Sequence, residues 1–332
     1  MTSLLDVKNL NMHFPIRGGL FKRQVGSVYA VNDVSFQLEE GETFGIVGES
    51  GCGKSTLGRA LVRIYEPTSG DIFFRGQNIA HLKDKGLKDF RKEIQMVFQD
   101  PYASLNPRKP IFDILEEPFL LHGLGNAADR RKQVEELMQL VGLRATDMNK
   151  FPHEFSGGQR QRIGIARALA LRPSLIVCDE AVSALDVSIQ AQIINLLMDL
   201  QKQLKLTYIF ISHDLNVVRY ISDRVAVMYL GRLMEVADSA TMYKNPAHPY
   251  TRALMASAPK PDPRRTMKPA VLEGDVPSPS RPPSGCPFHT RCPYTIAICK
   301  EQLPALLPLG NDNQHRVACH RAQELNMEAI HS

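Results

Sequence analysis

Gly48-Glu49-Ser50-Gly51-Cys52-Gly53-Lys54-Ser55-Thr56 is the stretch whose reading decides the fold. Gly48, Gly53, Lys54 and Ser55 stand at the spacing of a phosphate-binding loop. The apolar residues before it, Phe44-Gly45-Ile46-Val47, predict a buried strand, and Leu57 to Val62 suit the first turns of a helix. Glycines in such a turn let backbone N–H groups approach a phosphate, and the helix N-terminus adds partial positive charge. In this pattern Lys54 faces the β/γ-phosphates and Ser55 offers its hydroxyl to Mg²⁺. A chance glycine-rich turn is the plainer alternative, and the order strand, loop, helix argues against it.

Outward from the loop, the chain of 332 residues is 43% hydrophobic, enough for one large core or two domains. Forty Lys and Arg against 35 Asp and Glu leave a net charge of +5, too mild for a dedicated nucleic-acid binder, so no nucleic-acid partner is expected. Loose attraction to an anionic membrane face fits this balance. No uninterrupted apolar run reaches about 18 residues, so no membrane-spanning helix is expected. Residues 1 to 11 hold Asp6 and Lys8 and lack a cleavable apolar segment, which predicts a cytosolic chain whose six cysteines stay reduced.

Residues 4–14 and 28–38 read as strands, a small antiparallel layer beside a parallel core, with a basic loop from Pro15 to Gly26 between them. Strands are also expected at 71–74, 94–98, 175–178 and 207–212. Val134, Leu137, Met138 and Val141 recur at helical spacing, for which core packing is the reading. A helix is expected over 188–204, with Ile189, Ile193, Leu196, Leu197, Leu200 and Leu204 facing inward. Alternating strands and helices imply a parallel α/β core. From about residue 258 the composition shifts. Pro259 to Gly285 is proline-dense and reads as a linker or irregular extension, leading to a cysteine-containing tail, Cys286 to Cys319.

Asp179-Glu180 closes the apolar strand 175–178. A carboxylate there can hold the Mg²⁺ shell, and a second can polarise an attacking water. Upstream, Phe155-Ser156-Gly157-Gly158-Gln159-Arg160 is a glycine-serine turn before a helix read as 162–171, a second anion-binding helix N-terminus. Here the chain resembles the ABC ATPases. Ser156-Gly157-Gly158-Gln159 looks like their signature motif, and Asp179 and Glu180 like the Walker B aspartate and catalytic glutamate. Ser183-Ala184-Leu185-Asp186 looks like the D-loop, His213 like the switch histidine and Gln99 like the Q-loop glutamine, all in the family order over about residues 4 to 250.

The resemblance implies a P-loop NTPase with a RecA-like parallel sheet, an antiparallel β subdomain and an α-helical signature subdomain at about 100–168. These make up a nucleotide-binding domain over 1–257, followed by a C-terminal cysteine-containing extension over 258–332. It implies that ATP is bound by Gly48, Ser50, Gly51, Cys52, Gly53, Lys54, Ser55 and Thr56. Mg²⁺ would be held by Ser55, Gln99 and Asp179, and catalysis would rest on Glu180, His213 and Gln99. Two subunits would face each other head to tail, Ser156 to Gln159 of one meeting the γ-phosphate held by the other. Ala181 stands where the family usually has proline. Alanine adopts the same φ, so an active enzyme is still expected. The adenine-stacking aromatic is Phe14 by its place at the end of the first strand or Tyr29 by its distance from the loop, with Phe14 favoured.

Gln99 to Pro107, Asn245-Pro246-Ala247-His248-Pro249-Tyr250-Thr251, and Leu272 to Pro279 resemble the ATPases of bacterial dipeptide/oligopeptide importers, particularly the second of their paired ATPases. That resemblance implies ATP hydrolysis powering peptide import, at the cytoplasmic face of the inner membrane. The implied partners are two permease subunits, a paralogous ATPase and, indirectly, a periplasmic or extracellular solute-binding protein. Glutathione or nickel import is the alternative within the class, and a soluble ABC ATPase acting on ribosomes or DNA is the alternative outside it. Cys286, Cys292, Cys299 and Cys319, spaced C-x5-C-x6-C-x19-C, do not match common zinc spacings. A [4Fe–4S] cluster on the four thiolates is the favoured reading, with zinc or free thiols beside it.

Overall fold

The computed structural model describes residues 3–18, 23–257, 274–310 and 312–325. Its strands in chain order are β1 Leu5–Gly18, β2 Arg23–Leu38, β3 Thr43–Val47, β4 Ser69–Phe74, β5 Gln77–Asn78, β6 Ile94–Val97, β7 Leu175–Asp179, β8 Thr207–Ile211, β9 Arg224–Tyr229, β10 Arg232–Asp238, β11 Leu307–Leu309 and β12 Asp312–Val317. The chain divides into two compact units, 1–81 with 212–332, and 82–211.

The first unit carries an antiparallel sheet in the order β2-β1-β4-β5. Leu5, Val7 and Leu10 on β1, and Val34, Phe36 and Leu38 on β2, are buried while their neighbours face outward, the alternation of a half-buried layer. Beside this layer the unit holds β11-β12-β10-β9-β3, with β3 and β9 parallel and the rest antiparallel. Every residue of β3 is buried. The second unit contains β6, β7 and β8, paired in parallel, with β7 and β8 buried throughout. Continuous burial on both faces explains why these strands read as apolar runs and not as alternating ones. Helices 111–122, 127–140 and 157–169 pack together in the same unit, and Val134, Leu137 and Met138 turn inward as their spacing predicts.

Two expectations need correction. The helix read as 162–171 is Gly157–Leu169. Ser156 Oγ accepts from the Gln159 N–H at 3.3 Å while Gln159 Oε1 accepts from the Ser156 N–H at 2.9 Å. This reciprocal cap starts the helix five residues early and offsets the cost of two glycines in its first turn. In helix 187–204, Ile193, Leu197 and Leu200 are buried, but Leu204 is 43% exposed at the last turn. The cysteine tail does not rely on its own apolar residues. Its β12 joins β10, pairing Val317 with Glu235 and Arg316 with Val236, and its Phe288 is fully buried beside Tyr229 and Tyr250. Of the proline-dense stretch, 258–273, with Leu272 and Glu273 of the importer-like segment, lie outside the described residues. Residues 274–285 form bends and a turn.

Candidate functional site

Val47 ends β3, and the loop 48–53 leads directly into helix Lys54–Leu61. Gly48 has φ 155° and Gly53 φ 105°. A Cβ at Gly48 would meet Met228 O at 2.1 Å, and one at Gly53 would meet Ala30 O at 1.9 Å. Only glycine fits at either place, which sets the loop's path over its own unit. Lys54 is buried, and its Nζ donates to Gly48 O at 2.8 Å and Glu49 O at 3.0 Å. The ammonium is thus held inside the curve of the loop, where a phosphate would compete for it. Ser55 and Thr56 follow in the first helical turn, half-buried.

In the second unit Asp179 is the last residue of β7 and 1% exposed. Glu180 takes φ 49°, a left-handed conformation that few side chains adopt. Its N–H donates to Ile211 O at 2.9 Å, and its Oε2 accepts from Gln99 Nε2 at 2.9 Å. Gln99 and Glu180, 81 residues apart in the chain, therefore meet through their side chains. Ala181 is buried and continues from Glu180 into the turn 180–186 before helix 187–204. Ser156 is exposed, with Gly157 and Gly158 opening its helix, so their N–H groups start the helix dipole.

His213 is an exposed residue after β8, ahead of helix 215–221, which Asp214 caps by accepting from Asn216 N–H at 2.8 Å. Phe14 and Tyr29 lie on neighbouring strands, one register step apart, because Phe14 pairs with Val28 and His13 with Tyr29. Phe14 meets Tyr65 edge-on at 5.5 Å and Tyr29 meets His13 at 4.8 Å. The long β1-β2 hairpin thus brings together the two aromatics that chain distance separates. Residues 19–22, between the two strands, lie outside the described residues.

Cys286, Cys292, Cys299 and Cys319 line one cavity with His289 and His320. Burial pushes the Cys286 thiol up to about 12 and Cys319 to about 11, so both stay protonated at neutral pH. Among the described residues no three His, Cys, Asp or Glu side chains are placed to share one metal ion.

A family model for the ABC transporter matches residues 31–183, and one for the oligopeptide/dipeptide transporter C-terminal region matches 234–299. The oligopeptide transport ATP-binding protein AppF of Bacillus subtilis is 57% identical over 321 residues, covering 96% of this chain and 97% of that protein. The chain belongs to the ABC transporter ATP-binding proteins. Its relatives include the di/tripeptide transport ATP-binding protein DppF of Pseudomonas aeruginosa, 49% identical over 98% of this chain and 99% of that one. The dimeric post-hydrolysis structure of the ATP-binding cassette MJ0796, bound to ADP and Pi, superposes with a TM-score of 0.63. It is 30% identical and covers 71% of this chain and 98% of that one. The ATPase is thus an ABC cassette with a further C-terminal region. No helix among its described residues is long and apolar enough to cross a membrane.

Two features of this ABC ATPase escape its motifs. Glu235, on β10 and fully buried, accepts from the N–H groups of Ala247 and His248, both at 2.8 Å, and contacts His315 Nε2 at 2.8 Å. Glu49, inside the phosphate-binding loop, accepts from Arg291 Nη1 at 2.7 Å and Nη2 at 3.1 Å. Both pairs join residues far apart in the chain, and neither has a local spacing that would reveal it. The only sequence signal is a charged residue inside an apolar or glycine-rich stretch.

Proposed function

We propose that this ATPase powers import of dipeptides or oligopeptides through a permease complex. The observation that carries this reading is the C-terminal region at 234–299, which matches the oligopeptide/dipeptide transporter model and not merely the cassette. Its place is the cytoplasmic face of the membrane, docked on two permease subunits that a solute-binding protein supplies from outside. Reconstituted with those partners, the chain is expected to hydrolyse ATP faster when peptide is added. Stimulation by glutathione or nickel and not by peptide would overturn the substrate class.

In this reading Lys54 leaves its loop carbonyls for the β/γ-phosphates, and backbone N–H groups of residues 50–56 cradle them. Ser55, Asp179 and Gln99 would hold Mg²⁺; a hydroxyl opening a helix and a buried carboxylate ending a strand are suitable donors for it. When bound, Mg²⁺ neutralises charge on the transferred phosphoryl group. Glu180 polarises the attacking water, with its carboxylate oriented by Gln99, and His213 contacts the γ-phosphate. Phe14 stacks on the adenine. Ser156 to Gln159 serve the ATP bound by a second, paralogous ATPase. Full transport by a homodimer of this chain alone would overturn that hetero-pair.

The four tail cysteines hold a [4Fe–4S] cluster in this reading. The donor set supports it, since four thiols line a single cavity. Among the described residues no three ligand side chains are placed to share one ion, so the reading rests on the donor set, and the C-x5-C-x6-C-x19-C spacing is what disfavours zinc. The role is structural or regulatory, apart from ATP chemistry.

A further inference from the structure

Glu49 is the second residue of the phosphate-binding loop, and three of its groups are held. Its N–H donates to Tyr250 Oη at 2.9 Å, its carbonyl accepts from Lys54 Nζ at 3.0 Å, and its carboxylate accepts both terminal nitrogens of Arg291. Arg291 comes from the extension, 242 residues further on. Its side chain is only 5% exposed, against 23% for Glu49, and its Nη1 also reaches Tyr229 Oη at 3.4 Å. A guanidinium this deep is costly unless paired, and a two-pronged carboxylate contact is the geometry that fixes both partners. Arg291 closes the short turn His289–Arg291, and Cys292 follows it at once. The turn that brings Cys292 to the cysteine-lined cavity therefore also aims Arg291 at the loop.

One of the loop's restraints is temporary. If Lys54 turns to the phosphates, the Glu49 carbonyl keeps only the Cys52 N–H at 3.3 Å and its N–H keeps Tyr250 Oη, while the Arg291 contact to its carboxylate does not compete with nucleotide. Arg291 therefore fixes the Glu49 side chain through both terminal nitrogens whether or not Lys54 stays on the loop carbonyls. We propose that Arg291 is a positioning residue for the phosphate-binding loop, so that the extension reaches into nucleotide binding through one side chain. The inference rests on the loop being the nucleotide site.

The test is a double-mutant cycle on the full-length protein, with MgADP affinity read by calorimetry and apo melting temperature read alongside. Arg291→Ala and Glu49→Gln are each expected to raise the MgADP Kd about tenfold, and the double variant also about tenfold and not a hundredfold, since both remove one interaction. kcat at saturating ATP should change far less than the affinity. Either single variant binding within about twofold of the parent, or losses that add, would overturn the proposal. A role in stability alone would lower the apo melting temperature and leave the Kd unmoved, and that too would overturn it. Should Arg291→Ala fail to fold, Arg291→Lys replaces it in the cycle. Lysine keeps the stem and the charge but lacks the planar fork, so parent-like MgADP binding by that variant sinks the idea. Absence of MgADP binding by the parent would instead count against the nucleotide site itself.

Discussion

Glu235 and His315 meet inside the first unit with Oε1 and Nε2 2.8 Å apart, one side chain wholly buried and the other 6% exposed. The same carboxylate accepts the N–H groups of Ala247 and His248. One side chain thus joins β10, the Asn245–Thr251 stretch and the extension. Glu235→Ala would leave two backbone donors and a buried imidazole without their acceptor. The expected loss is about 3–5 kcal/mol, the range for breaking a buried pair from one side. Chemical unfolding of parent and variant measures it, and a loss under about 1 kcal/mol would show that the carboxylate is not the tie described.

His248 is buried, and that burial lowers its imidazole from 6.5 to about 4. Its Nδ1 accepts the Tyr250 N–H at 3.0 Å, a bond available only to the neutral ring. Between these two values the unfolded chain binds a proton that the folded chain refuses, so stability falls as pH drops from 6.5 toward 4. The slope from this one group is at most about 1.4 kcal/mol per pH unit. His248→Asn keeps an acceptor for Tyr250 without a titrating ring, and should flatten the unfolding free energy over that window. Parallel pH curves for parent and variant would disprove the assignment.

Glu180→Gln should retain ATP binding and slow hydrolysis on the order of 10²–10⁴-fold, the range for losing a positioned base. Glutamine keeps an oxygen for the Gln99 contact seen at 2.9 Å, so the change isolates charge from geometry. Turnover of the assembled transporter checks it, and near-parental rates would remove Glu180 from the catalytic role.

Protein prepared without oxygen should be brown, with broad absorbance near about 400 nm, from iron held by Cys286, Cys292, Cys299 and Cys319. Because ligation must first deprotonate thiols that burial holds protonated, loading should release protons. Iron and sulfide analysis decides the matter. Stoichiometric zinc, or a folded and active anaerobic sample free of metal, would exclude the cluster.

The sites carried by one local stretch were legible before any coordinates. Gly48, Gly53 and Lys54 declare a loop because glycine spacing and a following helix are local properties. The apolar runs 175–178 and 207–212 declare buried parallel strands for the same reason. The start of helix 157–169 is not legible locally, because two glycines argue against helix while the reciprocal Ser156–Gln159 cap that outweighs them is a matter of geometry. Gln99 with Glu180, and Glu49 with Arg291, lie 81 and 242 residues apart. Such meetings are made by topology, and no periodicity in the chain encodes them. The role of the tail in covering β10 was hidden for a related reason, since six polar-to-mixed residues, Asp312–Val317, carry little strand signal by themselves.

The pairing of β12 with β10 bears on how the chain may be cut. With β12 in place, the outer side of β10 at Glu235 and Val236 is covered by Val317 and Arg316. A fragment ending at Ser257 would keep β10 and lose its cover, presenting a buried-type strand as a raw sheet edge with Glu235 stripped of His315. Open edges of that kind recruit other copies of themselves. Shortening this protein to its cassette would therefore trade a covered sheet for a self-adhesive one, and any minimal version will need its own substitute for the strand it discards.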